Sequence, residues 1–218
     1  MMRSKGAVAS RRRGRPVNAS ADDTVAAVLN AARRSFAARG YAGTSNREVA
    51  AAAGLTHTAI YNHFGSKAQL FTAVFVDVQE LLIAELDRSA QARDDGKALP
   101  HVLVDALDAL RDADPSNVDF LASMYVEVRR DPELAEIFRG GIATFPVVER
   151  LRELTDVGSD GDGGRGDDTD LWFWIAFALG LAQISALADA DTFATTIDSF
   201  RRRFTDHGAP HPTGETST

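Results

Sequence analysis

Between residues 40 and 69 the chain punctuates helices at intervals that leave little room for any other architecture. Ser45-Asn46-Arg47-Glu48 and Ser66-Lys67-Ala68-Gln69 both have the form of a capping box. The serine hydroxyl accepts from the backbone N–H three residues on, and the Glu or Gln side chain reaches back to the serine N–H. Gly40 closes the helix before the first box, and Gly54 closes the short helix after it at about Ala53. Glycine takes the left-handed conformation of such a stop without steric cost. Thr56 then caps a third helix, His57 to Asn62 or His63. Two short helices across a sharp bend at Gly54-Leu55-Thr56 read as a helix-turn-helix. Leu55 and Ile60 are expected to face inward with Val49 and Phe36, and the small run Ala50–Ala53 permits close packing. That leaves the start of the third helix free for a DNA major groove, about 12 Å wide.

The rest of the chain repeats its apolar residues at helical spacing. Val25, Val28, Leu29, Ala32 and Phe36 form a stripe before Gly40; Leu70, Phe71, Val74, Phe75, Val78, Leu81, Leu82 and Leu86 form another after Ser66. Pro100 opens a helix with Leu103, Leu107 and Leu110. Asp114-Pro115 opens one that runs to about Arg130, aspartate suiting the cap and proline the first helical position. Asp131-Pro132 opens a further pattern to Leu151, which Gly140, Gly141 and Pro146 should weaken or kink. The stretch Asp156–Asp170, rich in Gly and Asp, is expected to be a loop, and two last helices are predicted from Leu171 to Ala188 and from Asp191 to Phe204. No segment alternates as a strand does. The fold class is all-α: an N-terminal three-helix helix-turn-helix domain plus a larger C-terminal helical bundle. The predicted divisions are a flexible basic arm at 1–20, the helix-turn-helix domain at 21–67, the larger domain at 68–207 and a disordered tail at 208–218.

Charge separates the same parts. Residues 1–71 hold 11 Lys and Arg against 3 Asp and Glu, whereas the whole chain of 218 residues has a net charge of −7. A basic end on an acidic body suits a polyanion that meets only one face; the alternative is chance clustering. The absence of cysteine excludes disulfides, thiolate zinc sites and a cysteine nucleophile. No nucleophile elbow, phosphate loop or Ser-His-Asp arrangement is present, so an enzyme is not expected, nor is a cofactor. His57 and His63, six residues apart, point to different sides of a helix, and the Asp156–Asp170 stretch lacks the ligand pattern of a calcium loop, so no metal site is expected. The basic arm has no apolar run behind it, which argues against a secretory signal and for the cytoplasm.

Arg39-Gly40-Tyr41, Thr44-Ser45, Glu48-Val49-Ala50, Ala53-Gly54-Leu55, Ile60-Tyr61, His63-Phe64, Ser66-Lys67 and Leu70-Phe71, in that order and spacing, resemble the TetR family of transcriptional repressors. The resemblance implies site roles at matching positions. Thr44, Ser45 and Arg47 would start the supporting helix and meet phosphates. Thr56 would cap the recognition helix, whose first N–H groups favour a phosphate. His57, Thr58 and Ala59 would face base edges; Tyr61, Asn62 and His63 would place the helix against the DNA backbone; Lys67 would add a phosphate contact. Family members often have Lys-Gly where this chain has His57-Thr58, so an operator sequence does not transfer. In the arm, Arg13-Gly14-Arg15-Pro16 resembles an AT-hook core. Arg13 and Arg15 would then enter a minor groove; the alternative is a solvated basic tail.

The resemblance further implies a homodimer on a palindromic double-stranded DNA operator and a small-molecule effector pocket in the larger domain. Candidate lining residues are Phe75, Leu103, Leu107, Phe120, Met124, Tyr125, Phe138, Ile142, Trp172 and Phe173, which suggest an apolar or aromatic effector. Each could equally be core. Glu127 and Arg129 could read a polar group on such a ligand or be solvated. Leu171–Ala188 carries no charge, but a membrane span needs roughly 20 apolar residues, and Gln183, Ser185 and flanking acids favour a helix buried between its own core and a second subunit. The whole reads as a ligand-responsive transcriptional regulator, a repressor released by its effector, with no membrane partner.

Overall fold

The computed structural model describes residues 21–92, 99–139, 145–156 and 168–206. The arm with Arg13 and Arg15, the tail at 208–218, Ile142 and residues 157–167 of the expected loop lie outside them.

All regular structure among the described residues is helical. The elements are α1 (Ala21–Arg39), α2 (Asn46–Ala52), α3 (His57–Phe64), α4 (Lys67–Gln91), α5 (Leu99–Ala113), α6 (Ser116–Arg130), α7 (Pro132–Ile137), α8 (Pro146–Asp156), α9 (Asp168–Leu187) and α10 (Ala190–Asp206). The punctuation works as chemistry requires. The Ser45 and Ser66 boxes are both closed, and Thr56 accepts from the Ala59 N–H at 3.2 Å. Asp131 accepts from the N–H groups of Glu133 and Leu134, which starts α7 with Pro132 in its first turn. Asp114 accepts from the Ser116 N–H at 3.0 Å and so serves the start of α6 from outside it. The long pattern expected from Leu134 to Leu151 is two helices, α7 and α8, with residues 140–144 between them. Residues 168–170, expected in a loop, are the first turn of α9.

α1, α2 and α3 form a small unit that α4 continues into the larger bundle. The 25 residues of α4 make a rod about 37 Å long at 1.5 Å per residue. Its first turns pack on α1 and α3, and further along it packs on α5 and α8. α6 crosses α1 on one side and α9 on the other, while α10 lies on α5. One continuous buried core therefore joins the two parts. Its centre is aromatic: Phe71 of α4 meets Phe36 of α1 at 5.1 Å, Tyr41 at 5.4 Å and Phe120 of α6 at 5.0 Å between ring centroids. Such pairs add about 0.5–1.5 kcal/mol each beyond the burial of their area. Phe120 is fully buried in this junction and Met124 in the core beside it.

α9 is apolar on all sides, yet a single chain covers only part of it. Leu171, Ile175, Leu181 and Ala182 are buried, whereas Trp172 is 48% and Phe173 57% exposed. Among the described residues no helix is long and apolar enough to cross a membrane.

Candidate nucleic-acid interface

The bend that presents α3 rests on one backbone conformation. Gly54 has φ +69°, and nothing lies within 4 Å of where its Cβ would be, so the position needs glycine for its dihedral angle and not for space. The N–H groups of Gly54 and Leu55 donate to the carbonyls of Ala51 and Ala50, closing the end of α2. Ile60 is fully buried and anchors α3 against Val49 and Ala50 in the shared core. With that side fixed, Thr56, His57, Thr58, Tyr61, Asn62 and His63 are exposed on the other, and Ala59 is half-buried between them. Tyr61 is 62% exposed on this face.

Ser45 and Arg47 lie exposed at the start of α2, close in sequence to the same face. The Ser45 hydroxyl is already engaged with Glu48. Those Ser45 hydrogen bonds, with Arg39 nearby, hold the Glu48 carboxyl below its usual range, so this acid stays ionised beside the interface.

Thr44 and Lys67 are placed differently from the phosphate roles the sequence suggested. Thr44 is buried, and its hydroxyl donates to the carbonyls of Ser35 at 3.0 Å and Gly40 at 2.9 Å. The Lys67 ammonium donates to the carbonyls of Tyr41 at 2.9 Å and Thr44 at 3.2 Å, and sits 4.1 Å from the centre of the Tyr41 ring. Thr44 thus ties the α1–α2 turn back to α1, and Lys67 ties the same turn to the start of α4. Burial, with Asp131 and Glu133 nearby, pushes the Tyr41 phenol up to about 12, so the ring under the ammonium stays neutral.

Residues 28–74 match the family profile of bacterial regulatory proteins, tetR family. Over this segment, about a fifth of the chain, the protein is similar to the TetR family. It is similar to the HTH-type transcriptional regulator AcrR of Shigella flexneri, 38% identical over 39% of each chain. It is similar also to the HTH-type transcriptional repressor AcnR of Corynebacterium efficiens, 31% identical over 55% of each. The chain thus spans between about two fifths and just over half of these two relatives. The fold likeness is wider. The fatty acid degradation regulator FadR of Bacillus halodurans superposes with a TM-score of 0.63 at 15% identity, over 86% of this chain and 97% of that one.

The larger part of the chain holds a small cavity of about 60 Å³ that opens to solvent. Phe75, Gln79 and Leu82 of α4, Leu107 of α5, Leu121 and Tyr125 of α6, Val147, Val148 and Leu151 of α8, and Ile175, Ala178, Leu179 and Ala182 of α9 line it. Of the residues read as pocket from sequence, Phe75, Leu107 and Tyr125 are there. Leu103 is buried elsewhere in the core, and Phe138 backs the wall, 5.2 Å from the Phe75 ring. Trp172 and Phe173 point away to the surface. Glu127 faces the α1 end of the molecule instead, its carboxylate lying against Gly40.

Between cavity and interface stands a buried cation. Arg33 of α1 is 3% exposed; it donates to Asp77 of α4 at 3.3 Å and to Ser116 at 3.1 Å and Asp114 at 3.2 Å beside α6. Burial works to raise the Asp114 carboxyl, but hydrogen bonds from Ser116, Arg34 and Arg33 outweigh it and bring it to about 2. Asp77 goes the other way, raised by burial despite Arg33. Asp114 is thus the principal counter-charge.

Proposed function

We propose that the protein is a ligand-responsive DNA-binding transcriptional regulator, a repressor that leaves its operator when a small apolar effector fills the cavity. The observation that carries this is the exposed face of α3, Thr56 to His63, standing at the head of the same α4 rod whose Phe75, Gln79 and Leu82 line the cavity. His57, Thr58 and Ala59 face base edges; Arg47, Ser45, Tyr61, Asn62 and His63 meet the DNA backbone. Two such helices about 34 Å apart would read successive turns of a palindrome, which calls for a twofold dimer. The uncovered side of α9, with Trp172 and Phe173, is the surface we assign to that dimer, together with α10. The arm carrying Arg13 and Arg15 adds affinity for DNA by its charge.

Mechanically, a ligand that favours another angle between α4 and α6 would pull the paired recognition helices off the operator spacing. Coupling of about 1–3 kcal/mol changes occupancy 5–150-fold. The test is gel-shift binding to the DNA flanking the protein's own gene. A sequence-selective shift that weakens steeply with salt is expected. No selective shift up to micromolar protein would overturn the proposal.

A further inference from the structure

The cavity carries two polar groups with donors left over among the described residues, and they define what chemistry belongs there. Gln79 of α4 is 3% exposed, and its Oε1 accepts from the Val147 N–H at 3.3 Å. A backbone N–H must meet oxygen and not nitrogen, so this bond sets the orientation of the amide. The NH₂ is then the free edge, two donors with no partner among the described residues. The Tyr125 hydroxyl, on α6, is likewise without a hydrogen-bond partner among the described residues and lines the same cavity. Burial pushes its phenol up to about 12, so it remains a neutral donor at any physiological pH. Among the described residues no lining side chain is charged.

Both donors face the cavity, and a ligand acceptor that meets them there gains hydrogen bonds in surroundings poorer in water than bulk solvent. The rest of the wall is aliphatic and aromatic, and rewards an apolar body. A carboxylate or ammonium would enter with no counter-charge, at a desolvation penalty that its hydrogen bonds would not offset.

We propose that the effector is an uncharged, largely apolar molecule carrying a carbonyl-type acceptor, gripped by the Gln79 amide and the Tyr125 hydroxyl. This rests on the reading of the cavity as the effector site and adds to it the ligand's charge state and the residues that select it. The two anchors sit on α4 and α6, the helices that pack on α1, so a ligand held by both sets their separation and is well placed to move α3.

Three probes of matched shape test this on the full chain: 2-acetylnaphthalene, 2-ethylnaphthalene and 2-naphthoate, with affinities from calorimetry. The ketone should bind about tenfold tighter than the hydrocarbon, the worth of one to two net hydrogen bonds. The carboxylate should bind at least 100-fold more weakly than the ketone. Tyr125→Phe should erase most of the ketone's advantage while leaving the hydrocarbon's affinity within twofold. Gln79→Glu, which keeps an oxygen for the Val147 N–H but removes the amide donors, should weaken the ketone as well. A thermal melt of each variant separates loss of binding from loss of fold. Equal binding of ketone and hydrocarbon to the native chain would overturn the anchor assignment while leaving the cavity as an effector site. So would a preference for the carboxylate, or a ketone advantage that survives both folded variants. If none of the three probes binds, the cavity reading fails and this inference fails with it.

Discussion

At the scale of single residues, the molecule relies on a few positions where chemistry allows little choice. Gly54 is one, because its φ of +69° lies where side chains with a Cβ are strained. Gly54→Val should lower stability by about 1–2 kcal/mol in urea titration, whereas Gly54→Asn should cost well under 1 kcal/mol, since asparagine tolerates this region. Asp114 is another. Its carboxyl sits at about 2 in the fold against an ordinary 3.8. Its contribution is therefore present above the ordinary value and lost as pH falls from about 4 towards 2. Linkage puts that contribution at about 2 kcal/mol near neutral pH. Asp114→Asn should cost at least this at pH 7 and nearly nothing at pH 2, measured by denaturant unfolding across the range. Asp77→Asn should be much milder, because burial already raises that carboxyl and its partner Arg33 keeps Asp114.

At the scale of the element, α3 divides into an anchored and an offered side. Ile60 is fully buried and Tyr61 largely exposed, one residue apart. The two should separate cleanly in experiment. Ile60→Ala removes a buried branched side chain and should cost about 2–5 kcal/mol of stability. Tyr61→Ala should leave the thermal midpoint within a degree or two and weaken operator binding at least tenfold in the same gel-shift assay. Much of this element was legible beforehand: the caps, the glycine stops and the apolar spacing are local chemistry, and they appear in the structure within a residue or two of the expected bounds. The direction of Thr44 and Lys67 was not legible. Both look like surface residues in sequence, and only the packing of the α1–α2 turn against α1 and against the start of α4 shows that their polar groups are consumed there.

At the scale of the whole molecule, the acidic body and the bend are joined through α1, α4 and α6. The Phe36–Phe71–Phe120 contacts and the Arg33 network both cross that junction, so a movement of α4 against α6 reaches α1. The uncovered side of α9 belongs to this scale as well. Phe173→Glu, at a position 57% exposed and so tolerant of charge in the free chain, should turn the dimer we propose into a monomer in sedimentation. Operator affinity should fall with it, because each half-site then binds alone. A variant that sediments unchanged would move the dimer surface elsewhere.

The helices, their stops and the bend at Gly54 were determined by sequence alone, because capping, proline and glycine signals act over three or four residues and do not wait for distant partners. The tertiary structure decided what those helices are for. It made Phe120 a junction, turned Trp172 and Phe173 outward, and left Gln79 and Tyr125 facing a common space. Such assignments depend on which faces meet across a hundred residues of chain, and a cavity is defined by the atoms that fail to meet, which no periodicity in one segment can express.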